Sequence, residues 1–207
     1  MKKSSGLKRT DTSLEKSLEK ATRHAIAFLE KQGYRYAVIG GLANQHWGIL
    51  RLTKDVDIKV LVPDTDYPAV RETIRAKFPE RGRPDTSVNP LIVDTRIDNV
   101  IVDFILAIPG YEENIITRAT RRKLGKLTLW ICSAEDLIIQ KAVANRGKDW
   151  QDVEGILIEQ YEHLDYAYIE GWLDQFAEIL ERPEMLEQYR QIQQHIKQVV
   201  EQHSKKR

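Results

Sequence analysis

Apolar residues at Leu14, Leu18, Ala21, Ala25 and Leu29 recur at spacings of three and four, which predicts an amphipathic helix over 13–32 that stops at Gly33. The pattern then tightens. Tyr36–Ile39 is an unbroken apolar run and reads as a buried strand ending at Gly40-Gly41. Residues 42–50 predict a helix, 56–62 a second strand closed by Pro63, and 67–78 a helix capped by Asp64 or Asp66. The stretch PERGRPDTSVNP, 79–90, is rich in proline, glycine and charge and reads as an exposed loop. LIVDTR and VIVDFILAI flank Ile97-Asp98-Asn99 and predict two strands joined by a tight turn. A short helix near 111–120 and a strand over 127–132 follow.

From Ser133 onward the period is helical throughout. Ser133, with Asp136 three residues on, reads as an N-cap, and further helices are expected near 149–160, 165–181 and 183–203, the last with Pro183 in its first turn. The last helix turns polar after Val200, and SKKR is expected to fray. The expected fold class is α/β (α+β). A mixed β-sheet lobe with flanking helices would span 1–133, and a C-terminal helical lobe 134–207.

Charge sharpens this division. The 207 residues carry a net charge of +1, but 1–133 holds 23 Lys and Arg against 16 Asp and Glu (+7), while 134–207 holds 9 against 15 (−6). The first part is therefore the better match for an anionic ligand. No apolar run reaches 18 residues, and MKKSSGLKRT is not followed by an apolar segment, so a cytoplasmic protein without membrane attachment is expected. Cys132, the single cysteine, lies in an apolar run and is expected to be a buried, inert thiol.

Two acids interrupt the second strand. Asp55 and Asp57 share one face of an extended chain, with Cα atoms roughly 6.5–7 Å apart, and their mutual repulsion is relieved by water or by cations. Oxygen-only ligands suit Mg²⁺ or Mn²⁺, and paired ions are the usual device for nucleotidyl or phosphoryl displacement. Asp103 supplies a third acid between apolar neighbours in a later strand; Asp94 precedes the turn and ranks as a bystander. Gly40-Gly41, at a strand end and a helix start, allows close backbone approach to a polyphosphate, although a plain tight turn is the commoner meaning of two glycines.

Ile39-Gly40-Gly41, a gap of thirteen residues, Asp55-Val-Asp57 and then Val102-Asp103-Phe104 resemble the nucleotidyltransferase superfamily of the DNA polymerase β type. Arg51-Leu-Thr53-Lys-Asp55-Val-Asp57, Ser133-Ala-Glu135-Asp136-Leu137 with Lys141, and Arg146-Gly-Lys148-Asp149-Trp-Gln-Asp152 are similar to the runs of its AbiEii-type and minimal branch. The resemblance spans roughly 34–158. It implies transfer of a nucleoside monophosphate from an NTP to a hydroxyl, with two Mg²⁺ ions (or Mn²⁺) held by Asp55, Asp57 and Asp103. Asp103 would also help activate the attacking hydroxyl. Gly40, Gly41, Arg51, Thr53 and Lys141 would contact the nucleotide, with Arg146, Lys148 and Asp149 in support. Set beside this, a helical lysine is most often solvated, and Asp149 and Asp152 serve equally well as caps or as partners of Arg146. His46 and Trp47 are expected to pack.

The resemblance implies an RNA acceptor such as tRNA, or a protein acceptor, and a toxin of a toxin–antitoxin pair with a cognate antitoxin partner. Arg118, Arg121, Arg122, Lys123 and Lys126, around an expected helix-to-strand turn, form the densest basic cluster and could hold RNA phosphates. A small-molecule (antibiotic) acceptor and a non-catalytic nucleotide-binding or antitoxin-like module are the competing readings. For the last, Ile169, Leu173, Phe176, Ile179 and Leu180 serve either as internal core or as a partner contact.

Overall fold

A computed structural model describes residues 6–83 and 89–204. The chain divides into two compact units, one of residues 1–42 and 52–132 and the other of 43–51 and 133–207. The expected frayed end SKKR lies outside the described residues except for Ser204, as does 84–88 of the expected loop.

The first unit is built on a six-stranded mixed sheet in the order β3-β4-β2-β1-β6-β5. Its strands are β1 (Tyr36–Ile39), β2 (Asp55–Leu61), β3 (Ile92–Ile97), β4 (Val100–Ala107), β5 (Thr120–Leu124) and β6 (Leu127–Ile131). β2 runs parallel to β4, and β1 parallel to β6; the other neighbours are antiparallel. This mixed α/β architecture is the expected one. The β3–β4 hairpin turns through Asp98 and Asn99, whose φ values of 50° and 64° fit the two-residue turn that matches strand twist.

Period-2 alternation decides the faces. Val56, Ile58, Val60, Val102 and Phe104 are all fully buried, and Phe104 stacks on Phe78, which meets Phe28 of α1 (Gly6–Gln32) edge-on. That face is covered by α1 and by α3 (Tyr67–Lys77), whose N-cap Asp66 accepts from the Ala69 N–H. The opposite face carries Asp55, Asp57 and Lys59 of β2. Near its far end Lys59 is buried and paired with Glu112 of α4 (Tyr111–Arg118).

Two expectations need correction. α2 (Gly40–Trp47) begins at the glycines and ends earlier than expected. The basic run at 121–123 is a strand, not a turn: β5 pairs with β6 through a two-residue connection at Gly125 (φ 57°) and Lys126. β5 lies at the sheet edge, where charged side chains protect unpaired backbone, so it lacks the apolar alternation that marks a half-buried strand.

The second unit contains the helices α5 (Ala134–Ala144), α6 (Gly147–Gln160), α7 (Tyr166–Ile179) and α8 (Pro183–Ser204). The Ser133 hydroxyl caps α5 by accepting from the Asp136 N–H. Residues 43–51 join this unit: Gly155 faces Ile49 so closely that an added Cβ would lie 3.2 Å from its side chain, and the Gln160 amide donates to the Trp47 carbonyl. Ile169 and Leu173 are core, whereas Ile179 is 72% exposed. Among the described residues no helix is long and apolar enough to cross a membrane.

Candidate active site

Ile39 ends β1 directly opposite Asp57, so the turn into α2 passes beneath the acidic strand. Gly40 sits at φ 62°, in the region that favours glycine, and a Cβ there would lie 2.0 Å from Asp57 Oδ2. A Cβ on Gly41 would lie 2.3 Å from Thr53 Oγ1. The two glycines thus admit Asp57 and Thr53, a packing reason that stands beside the phosphate contact expected of them.

The register of β2 on β4 sets Asp57 beside Asp103, and that of β3 on β4 sets Asp94 beside Asp103. Asp55 lies two residues before Asp57. Four carboxylates therefore share one sheet face across three adjacent strands, with neighbouring strands about 4.8 Å apart. Asp55 and Asp57 are half-buried; Asp94 and Asp103 are buried. Asp55 Oδ1 accepts from Thr53 Oγ1 at 2.9 Å.

Asp103 has a cation already. Arg83 donates from both terminal nitrogens to both carboxylate oxygens, at 2.6 and 2.8 Å. Hydrogen bonding to Asp103 drives the Arg83 guanidinium pKa above its usual value against the opposing pull of burial, and the charges of Asp103, Asp55 and Asp94 add to the rise. Asp94, set aside as a bystander to the chemistry, accepts from the Arg83 backbone N–H at 3.0 Å and pairs with Arg75 and Arg81. Burial pushes its carboxyl up, but the Arg83 N–H, Arg75 and the charge of Arg81 outweigh burial and hold it below the usual carboxylate range.

Among the described residues no group of three or more His, Cys, Asp or Glu is arranged as a metal site. The oxygen donors of Asp55 and Asp57 nevertheless suit a hard divalent cation. The third carboxylate is committed to Arg83.

The remaining expected residues lie in the second unit, around α5 and α6. Lys141 is buried and pairs with Asp149 at 3.0 Å and Asp152 at 2.7 Å. Arg51 forks onto both oxygens of Asp152 at 2.6 and 2.7 Å, and Arg146 binds Asp149. Lys148 is exposed. Burial raises the carboxyls of Asp149 and Asp152, yet both titrate below the usual range. The overriding contributions are hydrogen bonds from Arg146 and Lys141 to Asp149, and from Arg51 and Lys141 to Asp152, reinforced by their charges.

Gly40, Gly41, Thr53, Asp55, Asp57 and Asp103 are thus gathered in one unit, and Arg51, Lys141, Arg146, Lys148 and Asp149 belong to the other. Arg83 was not expected. Nothing in RGR at 81–83 distinguishes it from a solvated loop arginine, because its partner is set by strand register.

The fold is that of nucleotidyltransferases. It is similar to the crystal structure of an antigenic nucleotidyltransferase-like protein from Paracoccidioides brasiliensis, at 15% identity over 84% of this chain and 91% of that one, with a TM-score of 0.50. A second similar structure is ANT(2")-Ia in complex with adenylyl-2"-tobramycin, at 14% identity over 75% of this chain and 94% of that one, with a TM-score of 0.48. The search of curated proteins gives no match. Residues 18–206 match the family described as "Nucleotidyl transferase of unknown function (DUF2204)", and the chain belongs to that family of nucleotidyltransferases.

Proposed function

We propose that the protein transfers a nucleoside monophosphate from an NTP to a hydroxyl of RNA, such as a tRNA end, in a Mg²⁺-dependent reaction. The observation that carries this reading is the alignment of Asp57 with Asp103 on adjacent strands, with Asp55 on the same face and Gly40 directly beneath Asp57. In the reaction the acceptor oxygen bonds to the α-phosphorus, the bond to pyrophosphate breaks, and the hydroxyl proton leaves to a nearby base. Asp55, Asp57 and Asp103 would hold the metal, which would neutralise the triphosphate and make the acceptor hydroxyl more acidic.

Arg121, Arg122 and Lys123, exposed along the edge strand β5, favour a polyanionic acceptor over a small molecule. The sequence runs around Asp55, Ser133 and Asp149 favour the AbiEii-type branch and a toxin role restrained by a cognate antitoxin. Lys141, buried between two acids, would act on the nucleotide by fixing Arg51 and α6 instead of touching phosphate.

The test incubates the protein with each α-labelled NTP, Mg²⁺ and total RNA, lysate protein or a small-molecule fraction. Label in RNA that depends on Mg²⁺ and is lost in Asp57→Asn is the expected result. Label in protein or small molecules would replace the acceptor, and transfer by Asp57→Asn at the wild-type rate would overturn the site. Growth arrest on expression, relieved by the same substitution, is the outcome expected of a toxin.

A further inference from the structure

The third carboxylate of the acidic face is already paired, and the group that holds it is carried on a loop. Arg83 stands in the loop before β3, outside any helix or strand. The base of that loop is pinned to β3: Arg96 N–H donates to the Glu80 carbonyl at 2.9 Å, and the Arg96 side chain donates to the Gly82 carbonyl at 2.8 Å. A Cβ on Gly82 would lie 2.7 Å from the Thr95 carbonyl oxygen, so the chain there lies flush on the strand. Asp94 fixes the Arg83 backbone N–H. These bonds tether the backbone that carries the Arg83 side chain.

The two ends of the pair differ in their access to water. The Arg83 side chain is 44% exposed, but that of Asp103 only 11%. A guanidinium leaving Asp103 regains hydration at once. The carboxylate cannot, and needs another cation in its place beside Asp57 and near Asp55. Arginine keeps its charge at every pH a protein survives, so loss of a proton cannot open the pair. A competing cation can, and a divalent ion brings twice the charge to the same oxygens.

Building on the proposed metal-dependent function, we infer that Arg83 is an internal counterion that latches Asp103, and that a divalent ion completes its site on Asp55, Asp57 and Asp103 only by displacing the guanidinium. Arg83 is thus a positioning residue: it holds the acids together in the metal-free state and sets how tightly metal binds.

The test titrates the full-length protein with Mn²⁺ alone, reading free Mn²⁺ by electron paramagnetic resonance, and follows melting temperature with and without Mn²⁺. Removing a charge-assisted, two-pronged hydrogen bond from the competing state corresponds to about a tenfold or larger gain in metal affinity. Arg83→Ala is expected to show that gain, with a lower melting temperature in the absence of metal and a larger rise on adding it. Arg83→Lys, which keeps the charge but not the fork, falls between. Adding Asp103→Asn to Arg83→Ala removes the gain.

Unchanged or weaker Mn²⁺ binding by Arg83→Ala with a native circular dichroism spectrum overturns the latch, as does a gain that survives Asp103→Asn. If Arg83→Ala does not fold, Arg83→Lys decides: tighter binding supports the latch and unchanged binding overturns it. Wild-type binding that requires Asp57 but ignores Arg83 overturns the latch alone. If no variant binds Mn²⁺, with or without NTP, the latch and the metal-dependent reading both fall.

Discussion

Gly41 has no room for a methyl group. Its Cβ would stand 2.3 Å from Thr53 Oγ1 and 2.7 Å from Thr53 Cβ, and Thr53 is buried two residues before the acidic strand begins. Gly41→Ala should therefore cost about 1–3 kcal/mol, as overpacking does, read as a lower urea midpoint. Gly40→Ala has a more local target, because the clash falls on the Asp57 carboxylate itself. Its expected signature is a weakened Mg²⁺-dependent thermal shift with NTP, in excess of any loss of stability. The same close packing explains why the spacing from Gly-Gly to the two acids is informative in the sequence: the residues that cannot tolerate a side chain are those lying under Asp57 and Thr53. Arg83 had no such signature, since a residue in an irregular loop meets Asp103 through the pairing of β3 with β4.

At the level of elements, α5 and α6 are tied by charge. Lys141 of α5 reaches both Asp149 and Asp152 of α6, and Arg51 and Arg146 complete the two carboxylates. Removing the lysine leaves two buried acids sharing one exposed and one half-exposed arginine, so Lys141→Ala should destabilise the protein by about 3 kcal/mol. Urea melts measure it.

The same tie sets the acid response. Asp149 and Asp152 have carboxyls held below their unfolded value, so their contribution is complete above the ordinary aspartate range near about pH 4. It is lost as pH falls through their lower folded values, where the native acids take up protons. Melting temperature against pH should therefore fall more steeply below about pH 4 in the wild type than in Asp152→Asn. Equal slopes would show that Asp152 carries none of the acid sensitivity. The helices themselves were legible from apolar period and caps, with Ser133 and Asp66 acting as expected, whereas β5 was hidden by its position at the edge. The charge tie between α5 and α6 was half visible: the motif named its members, but not that Lys141 is buried between Asp149 and Asp152.

For the molecule as a whole, the chain passes between its two units three times, after Leu42, after Arg51 and after Cys132. The last of these coincides with the composition shift at Ser133. Nothing in local pattern revealed that 43–51 belongs with helices some eighty residues downstream. A fragment ending at Cys132 should consequently behave poorly: Trp47 and Ile49 would lose the Gln160 amide and the Gly155 backbone that meet them in the intact protein. Size-exclusion chromatography is expected to show association of that fragment, and a monodisperse, cooperatively melting monomer would contradict this.

The order of synthesis gives the same connectivity a clock. About eighty residues separate Arg51 from Ser133, so at about 5–20 residues per second the stretch 43–51 emerges roughly 4–16 s before its packing partners begin to appear. During that interval the strands around it can already pair, leaving Ala43, Asn44 and Trp47 presented on a nascent chain. This protein should therefore draw on nascent-chain chaperones early in translation, and ribosome-bound chains stalled near residue 130 should show protease cleavage inside 43–51 that weakens once α6 has left the ribosome.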